Sequence, residues 1–356
     1  MKADAVFEGG GVKGIGLVGA VSEIEKADHK FENLAGTSAG AIVASLLAVG
    51  YSSTEMKKEL EQLNYNEFKD EGLLDKLGVL GKGLSIGFEY GIYEGEFFES
   101  WLEGLLVAKG KTTFGQIKTK YKEDKYKYKF QAIAADITDR RLLVLPGDLK
   151  LFGIKPDEFS ISRAVRMSMS IPFFFEPVKL RDTSGRKHLI LDGGLLSNYP
   201  IWLLDDGTTD PPWPTFGFKL MEPDKRELKE AKRNPINNPI SFLKAIVGTM
   251  LDAHDSYHIS KSKGDYDRTI GIPTVVRVNG TEKEIKTVDF DMTREESDAL
   301  YENGVKAAKD FLVTWDFDHW KKLYRKPVGG TYAKERTATV QPKQTKRGRV
   351  KRTSSV

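Results

Sequence analysis

The chain has 356 residues, 40% hydrophobic and 30% charged, which is enough apolar material for one large α/β domain or two ordinary ones. Having no cysteine, it excludes disulfides, thiolate metal sites and a cysteine nucleophile, and it fits a reducing compartment. The net charge of +4 is unevenly placed: from Arg325 onward ten Lys or Arg stand against Glu335 alone, while the body before them is acidic, with 45 basic and 50 acidic residues.

From Met1-Lys2-Ala3-Asp4 the chain passes straight into a segment read as a buried strand, Ala3 to Phe7, with no long apolar leader. Glycines at 9, 10, 11 and 14 follow. A helical pattern then runs from Ile15 to Lys26, with Leu17, Ala20, Val21 and Ile24 on one face. Phe31 to Ala35 reads as a second strand, Gly36-Thr37-Ser38-Ala39-Gly40 as a tight turn, and Ala41 to Val49 as a buried helix. Strand, glycine loop, helix, strand, glycine turn, helix is the rhythm of a right-handed βαβ unit and a mostly parallel sheet. No charge falls between Ala35 and Thr54, but the strongly apolar part, Ala39 to Val49, is too short to span a bilayer.

A capping box at Ser52 and Glu55 opens the next helix. Residues 72–95 interleave seven glycines with leucines and aromatics, which suits a long loop or lid, or equally an irregular packed excursion over the core. A helix is expected from Glu96 to Ala108, strands at Tyr128 to Ala134 and Leu142 to Leu145 around an Asp136 to Arg140 turn, and a helix from Ile161 to Ser170, stopped by Pro172. The apolar strand Leu189-Ile190-Leu191 ends in Asp192-Gly193-Gly194. Asn238-Pro239 starts a helix reaching about Tyr257, Thr274 to Val278 is a strand, and a capping box at Thr293 and Glu296 opens a helix to Phe311. A domain over 1–315, a short extension over 316–326 and a disordered basic tail over 327–356 complete the expected organisation.

A serine with glycine two residues before and two after is the nucleophile-elbow pattern, which sets Ser38 at a helix N-terminus where unpaired N–H groups favour an oxyanion. A Gly/Ser turn capping a core helix would look the same. Serine acyl transfer also needs a base and oxyanion donors. Glycines 9 to 11 let backbone N–H groups converge at the same sheet edge, so the oxyanion hole is assigned to Gly10 and Gly11, helped by Val12, within the stretch Gly9 to Gly14, with Lys13 close enough to favour an anionic substrate. A dinucleotide loop would want an acid ending the second strand, and only the poorly placed Glu32 is available. None of His29, His188, His254, His258 and His319 lies in a small-residue turn at a strand end. Asp192 does, and burial beside Ser38 would raise its low intrinsic pKa, although its local sequence by itself favours a turn aspartate capping the Gly193-Gly194 bend.

Taken in order, Gly9-x-Gly11-x-x-Gly14, the Gly36-Thr37-Ser38-Ala39-Gly40 elbow and Asp192-Gly193-Gly194 resemble the patatin-like phospholipases. The likeness extends through Ala164 to Pro172, Phe175-Glu176-Pro177, Asn198-Tyr199-Pro200 and Asp289 to Thr293, and so over most of 1–315. It implies a three-layer α/β/α fold and a Ser38/Asp192 dyad without histidine. It further implies an oxyanion hole at Gly9 to Gly14 and metal-independent hydrolysis of lipid acyl esters through an acyl-enzyme, with no cofactor. A phospholipid or other acyl-lipid substrate, peripheral membrane contact and a cytoplasmic setting go with it. Phe173-Phe174-Phe175 departs from the family, whose members often have a smaller residue first, and this bears on the acyl pocket. Two other readings compete. An α/β-hydrolase triad would use His254 or His258, but only one strand precedes the Ser38 strand here. A binding module would use the basic tail on nucleic acid or anionic membrane, but Tyr332 is the sole aromatic among those bases, which argues against nucleic acid.

Overall fold

The computed structural model describes residues 1–63, 91–205 apart from 122, 207–221, and 264–325 apart from 288 and 290, with isolated positions at 236, 242, 245 and 249. The first unit is β1 (Lys2–Phe7), α1 (Gly14–Lys26), β2 (Lys30–Thr37) and α2 (Ala39–Val49), followed by α3 (Ser53–Gln62), β3 (Gly91–Tyr93) and α4 (Glu96–Ala108). Next come β4 (Phe130–Asp136), β5 (Arg141–Leu145), α5 (Ile161–Ser168), β6 (Phe173–Phe175), β7 (Val178–Arg181) and β8 (Lys187–Asp192). The chain closes with β9 (Thr215–Met221), β10 (Thr269–Pro273), β11 (Val275–Val278), β12 (Thr281–Glu284), α6 (Arg294–Thr314) and α7 (Phe317–Tyr324).

Eight strands form the central sheet in the order β10-β9-β1-β2-β4-β8-β7, with β5 also on β4. The neighbours from β10 to β4 are parallel, and β5, β8 and β7 are antiparallel additions at the β4 side. Side chains alternate across a strand, so β1 sends Ala3, Ala5 and Phe7 into the large core with α1, α2 and α6, and Val6 to the opposite face. There Val6, Ala35 and Ile133 meet Tyr199, Ile201, Leu203 and Leu204. Each fully buried phenylalanine of the large core, such as Phe7, Phe216 and Phe218, contributes roughly 1.5–3 kcal/mol by leaving water.

Both capping boxes form: Ser52 and Glu55 start α3, and Thr293 and Glu296 start α6. The end of the glycine-rich stretch, Gly91–Tyr93, is a strand paired with β6. Its earlier part, the helix expected over 238–257 apart from isolated positions, and the basic tail lie outside the described residues. The expected short extension over 316–326 contains the helix α7, whose Trp320 is buried and whose neighbour Arg325 pairs with Asp205, so it is packed into the fold. Among the described residues no helix is long and apolar enough to cross a membrane.

Candidate active site

The register Phe7↔Gly36 brings the ends of β1 and β2 level, so the glycine loop and the elbow open at one edge of the sheet. Ser38 leaves β2 at φ +52° and ψ −122°, a conformation that costs a residue other than glycine about 1–3 kcal/mol. Its surroundings hold it there. The Ser38 amide donates to Ser168 Oγ at 3.0 Å, the Ser38 carbonyl accepts from Ala41 N at 2.9 Å, and Thr37 Oγ1 donates to the Ser197 carbonyl at 2.9 Å. The turn also needs its two glycines: a Cβ on Gly36 would overlap the Gly40 carbonyl, and one on Gly40 would overlap the carbonyl oxygens of Phe7 and Glu8.

Asp192 ends β8, which runs back along β4 with Asp192 opposite Ala134, one residue beyond the level at which Thr37 faces Ile133. Elbow and carboxylate therefore reach β4 at adjacent levels, with the Ser38 side chain near enough to the Asp192 carboxylate to act on its pKa. Gly194 N donates to Asp192 Oδ1 at 2.7 Å, so Asp192 caps the glycine bend. The side chain is buried, and burial pushes its carboxyl up to about 7, against the lowering pull of the Gly194 amide and the Ser38 hydroxyl. A carboxyl in that range is suited to proton transfer near neutral pH.

The glycine loop is more restricted than its sequence suggests. Gly9 N donates to the Asn198 carbonyl, Val12 N to the Thr287 carbonyl, Lys13 N to the Gly10 carbonyl and Gly14 N to the Gly11 carbonyl. Val12, expected to help, is thus engaged by a carbonyl from a distant segment, and so are the amides of Gly9, Lys13 and Gly14 by their own partners. The amides of Gly10 and Gly11 have no acceptor among the described residues, and neither has the Ala39 amide in the first turn of α2. Gly11 holds φ +56°, and a Cβ there would strike the Thr287 carbonyl. Lys13 is buried beside Gly10.

From Ser38 an apolar cleft runs between helices, lined by Ile15, Ile42, Val43, Phe98, Trp101 and Phe175 among others. Of the three phenylalanines that depart from the family pattern, Phe175 lines this cleft, Phe174 packs on Tyr93, and Phe173 takes φ +64°. Arg166, buried on α5, donates to Ser170 Oγ at 2.5 Å, to the Glu176 carbonyl at 3.0 Å and to the Glu94 carbonyl, tying β3 and β6 to the cleft wall.

Of the histidines, His188 is held between Asp136 and Asp182, His29 packs edge-on against Phe216, and His319 lies in the first turn of α7. His254 and His258 lie outside the described residues. Asp136, Asp139 and His188 come close enough for a cation, but Arg141 and Arg186 already pair with the two carboxylates, and the group reads as an ion-pair network. Sequence reasoning missed the supporting partners Ser168, Asn198 and Thr287. Ser168 and Asn198 sit inside stretches set beside the family, whereas nothing local marks Thr287.

Residues 5–205 match the family model described as patatin-like phospholipase. The protein YqhO of Bacillus subtilis (strain 168) is 38% identical over 317 residues, covering 89% of this chain and all of YqhO. A cUMP-AMP-activated phospholipase of Escherichia coli is 26% identical over 210 residues, covering 57% of this chain and 58% of that protein. Among solved structures, VipD from Legionella pneumophila superposes with a TM-score of 0.50 at 18% identity, over 88% of this chain and 67% of VipD, a likeness of fold.

Proposed function

The chain belongs to the patatin-like phospholipase family and is a carboxylic ester hydrolase acting on lipid acyl groups, and we propose that it works through a Ser38/Asp192 dyad with a membrane lipid as substrate. Ser38 Oγ attacks the ester carbonyl while Asp192 takes the hydroxyl proton. The tetrahedral oxyanion is held by the Gly10 and Gly11 amides, joined by Ala39 at the positive end of α2. Asp192 returns its proton to the departing alcohol, leaving an acyl-enzyme on Ser38, and then accepts a proton from the water that releases the fatty acid. The acyl chain lies in the apolar cleft, and peripheral contact with a bilayer is part of the reading, since that is where such a substrate resides.

One observation carries it: Ser38, at the mouth of an apolar cleft, lies next to a buried carboxylate lifted to about 7. A fluorophosphonate probe on wild type, Ser38→Ala and Asp192→Asn, followed by a mass scan of a lipid extract, tests the reading. Labelling at Ser38 and release of free fatty acid are expected from wild type alone. Equal ester cleavage by Ser38→Ala would overturn it.

A further inference from the structure

The two chemical groups of the proposed dyad sit 154 positions apart in the chain, yet the backbone of each is held by the same short stretch. At the end of α5, Ser168 Oγ accepts the Ser38 amide at 3.0 Å and donates its own proton to the Ile133 carbonyl of β4 at 2.6 Å. Two residues on, the Ser170 carbonyl accepts the Asp192 amide at 2.9 Å. The Ser170 hydroxyl in turn donates to the Arg166 carbonyl at 2.8 Å and accepts from Arg166 Nη1. Both serines are 0% exposed. Gly193, next to Asp192, is packed so closely on the Ile133 carbonyl that a Cβ would overlap it. Ser168 therefore sits where the elbow, the central strand and the Asp192 turn converge.

We propose that Ser168 is a positioning residue for the reaction. Its hydroxyl holds the Ser38 main chain in the left-handed elbow conformation, while the turn it begins holds Asp192, so nucleophile and base are set from one rigid piece. The hydroxyl touches no reacting atom. It acts by keeping Ser38 Oγ aligned to its base and to the carbonyl carbon, where small displacements are costly in rate. Without it the Ser38 amide has lost its acceptor in a buried place, and the strained φ of +52° has lost one of its restraints. This inference rests on the Ser38/Asp192 reading.

Steady-state kinetics on a water-soluble chromogenic ester test it, with wild type, Ser168→Ala, Ser168→Cys and Ser38→Ala each assayed well below its own melting temperature. Ser168→Ala should lower kcat by roughly ten- to a hundredfold, the rate equivalent of an unsatisfied buried amide. KM should stay within about twofold, because the cleft is untouched, and the acid limb of the pH profile should stay close to that of wild type, because burial, the largest cause of the raised Asp192 pKa, is unchanged. Ser168→Cys, nearly isosteric and a weak acceptor, should fall between Ser168→Ala and wild type. Wild-type kcat in folded Ser168→Ala would overturn the inference, as would KM and acid limb moving together with kcat. Should Ser168→Ala fail to fold, Ser168→Cys takes its place, and loss of the fold in both also counts against a positioning role. Activity remaining in Ser38→Ala would instead sink the dyad itself, so the two failures are told apart.

Discussion

Replacing Asp192 by asparagine should make the protein more stable and inactive, and the stabilisation should depend on pH in a way that isolates this one group. Asp192 titrates at 3.8 in an ordinary setting and at about 7 in the fold, where burial disfavours its charged form. A raised folded pKa means that the native state binds the proton more tightly than the unfolded chain. Its contribution to stability is whole below pH 3.8 and is lost as pH rises through about 7. A rise of about three units at 1.36 kcal/mol each makes the loss ~4 kcal/mol. Asparagine keeps an oxygen for the Gly194 amide and turns an N–H group toward Ser38, but it has no charge to bury. The difference in unfolding free energy, variant minus wild type, should climb by roughly 1.4 kcal/mol per pH unit between pH 4 and 7 and level off above. Other buried carboxyls, including Asp4, which burial pushes up to about 6, titrate in both proteins and cancel. Urea denaturation of both proteins at pH 4.5, 5.5, 6.5 and 8, at constant ionic strength, measures this. A difference that is flat across that range would refute the argument that Asp192 is held as a costly buried charge.

If the proposed dyad holds, the same carboxyl sets the rate profile: kcat/KM on a soluble ester should rise about tenfold per pH unit up to about 7 and then level, and an acid limb centred below pH 5 would contradict this. Val43→Phe, placed in the wall of the cleft, should shift preference from dodecanoyl to butyryl esters by roughly tenfold, read from the ratio of kcat/KM values, and an unchanged ratio would mean that the acyl chain lies elsewhere. Arg166→Met keeps the aliphatic stem but strips the donors from the Glu94 and Glu176 carbonyls and from Ser170, and should cost about 2–4 kcal/mol in urea unfolding. A loss under about 1 kcal/mol would show those carbonyls to be satisfied without it.

Much of the site-bearing half could be read from residue order. β1, α1, β2 and α2 fall where apolar runs and glycines mark them, and both capping boxes form as the Ser/Thr and Glu spacing requires. The strand on the other side of β1 was harder. β9 follows Pro211, Pro212 and Pro214 and carries Gly217, all of which argue locally for a loop, yet it pairs on both sides because Gly217 accommodates Tyr199 across it. The direction of β8 could not be read either, since Leu189-Ile190-Leu191 is equally apolar in a parallel or antiparallel place. Gly10 and Gly11 are named from sequence, but setting aside Gly9 and Val12 depends on the Asn198 and Thr287 carbonyls, 189 and 275 positions from the amides they engage, and no window of sequence contains that information.

In the proposed dyad, the reversed strand is what lets a carboxylate serve without an imidazole. On a parallel strand Asp192 would leave the sheet at the same open edge as the glycine loop, facing solvent. On an antiparallel strand it descends from beyond that edge to the level of Ala134, under the Ser170 carbonyl and beside the elbow, where it is sealed. Sealing supplies the desolvation that lifts its pKa from a value useless for taking a proton at neutral pH to about 7. The basicity and the destabilisation are thus one effect seen in two measurements. Any substitution that lets water reach Asp192, such as enlarging the gap at Ser170, should lower the acid limb of the rate profile and raise stability above pH 7 together. A variant that moved one without the other would separate two quantities that this geometry binds to a single cause.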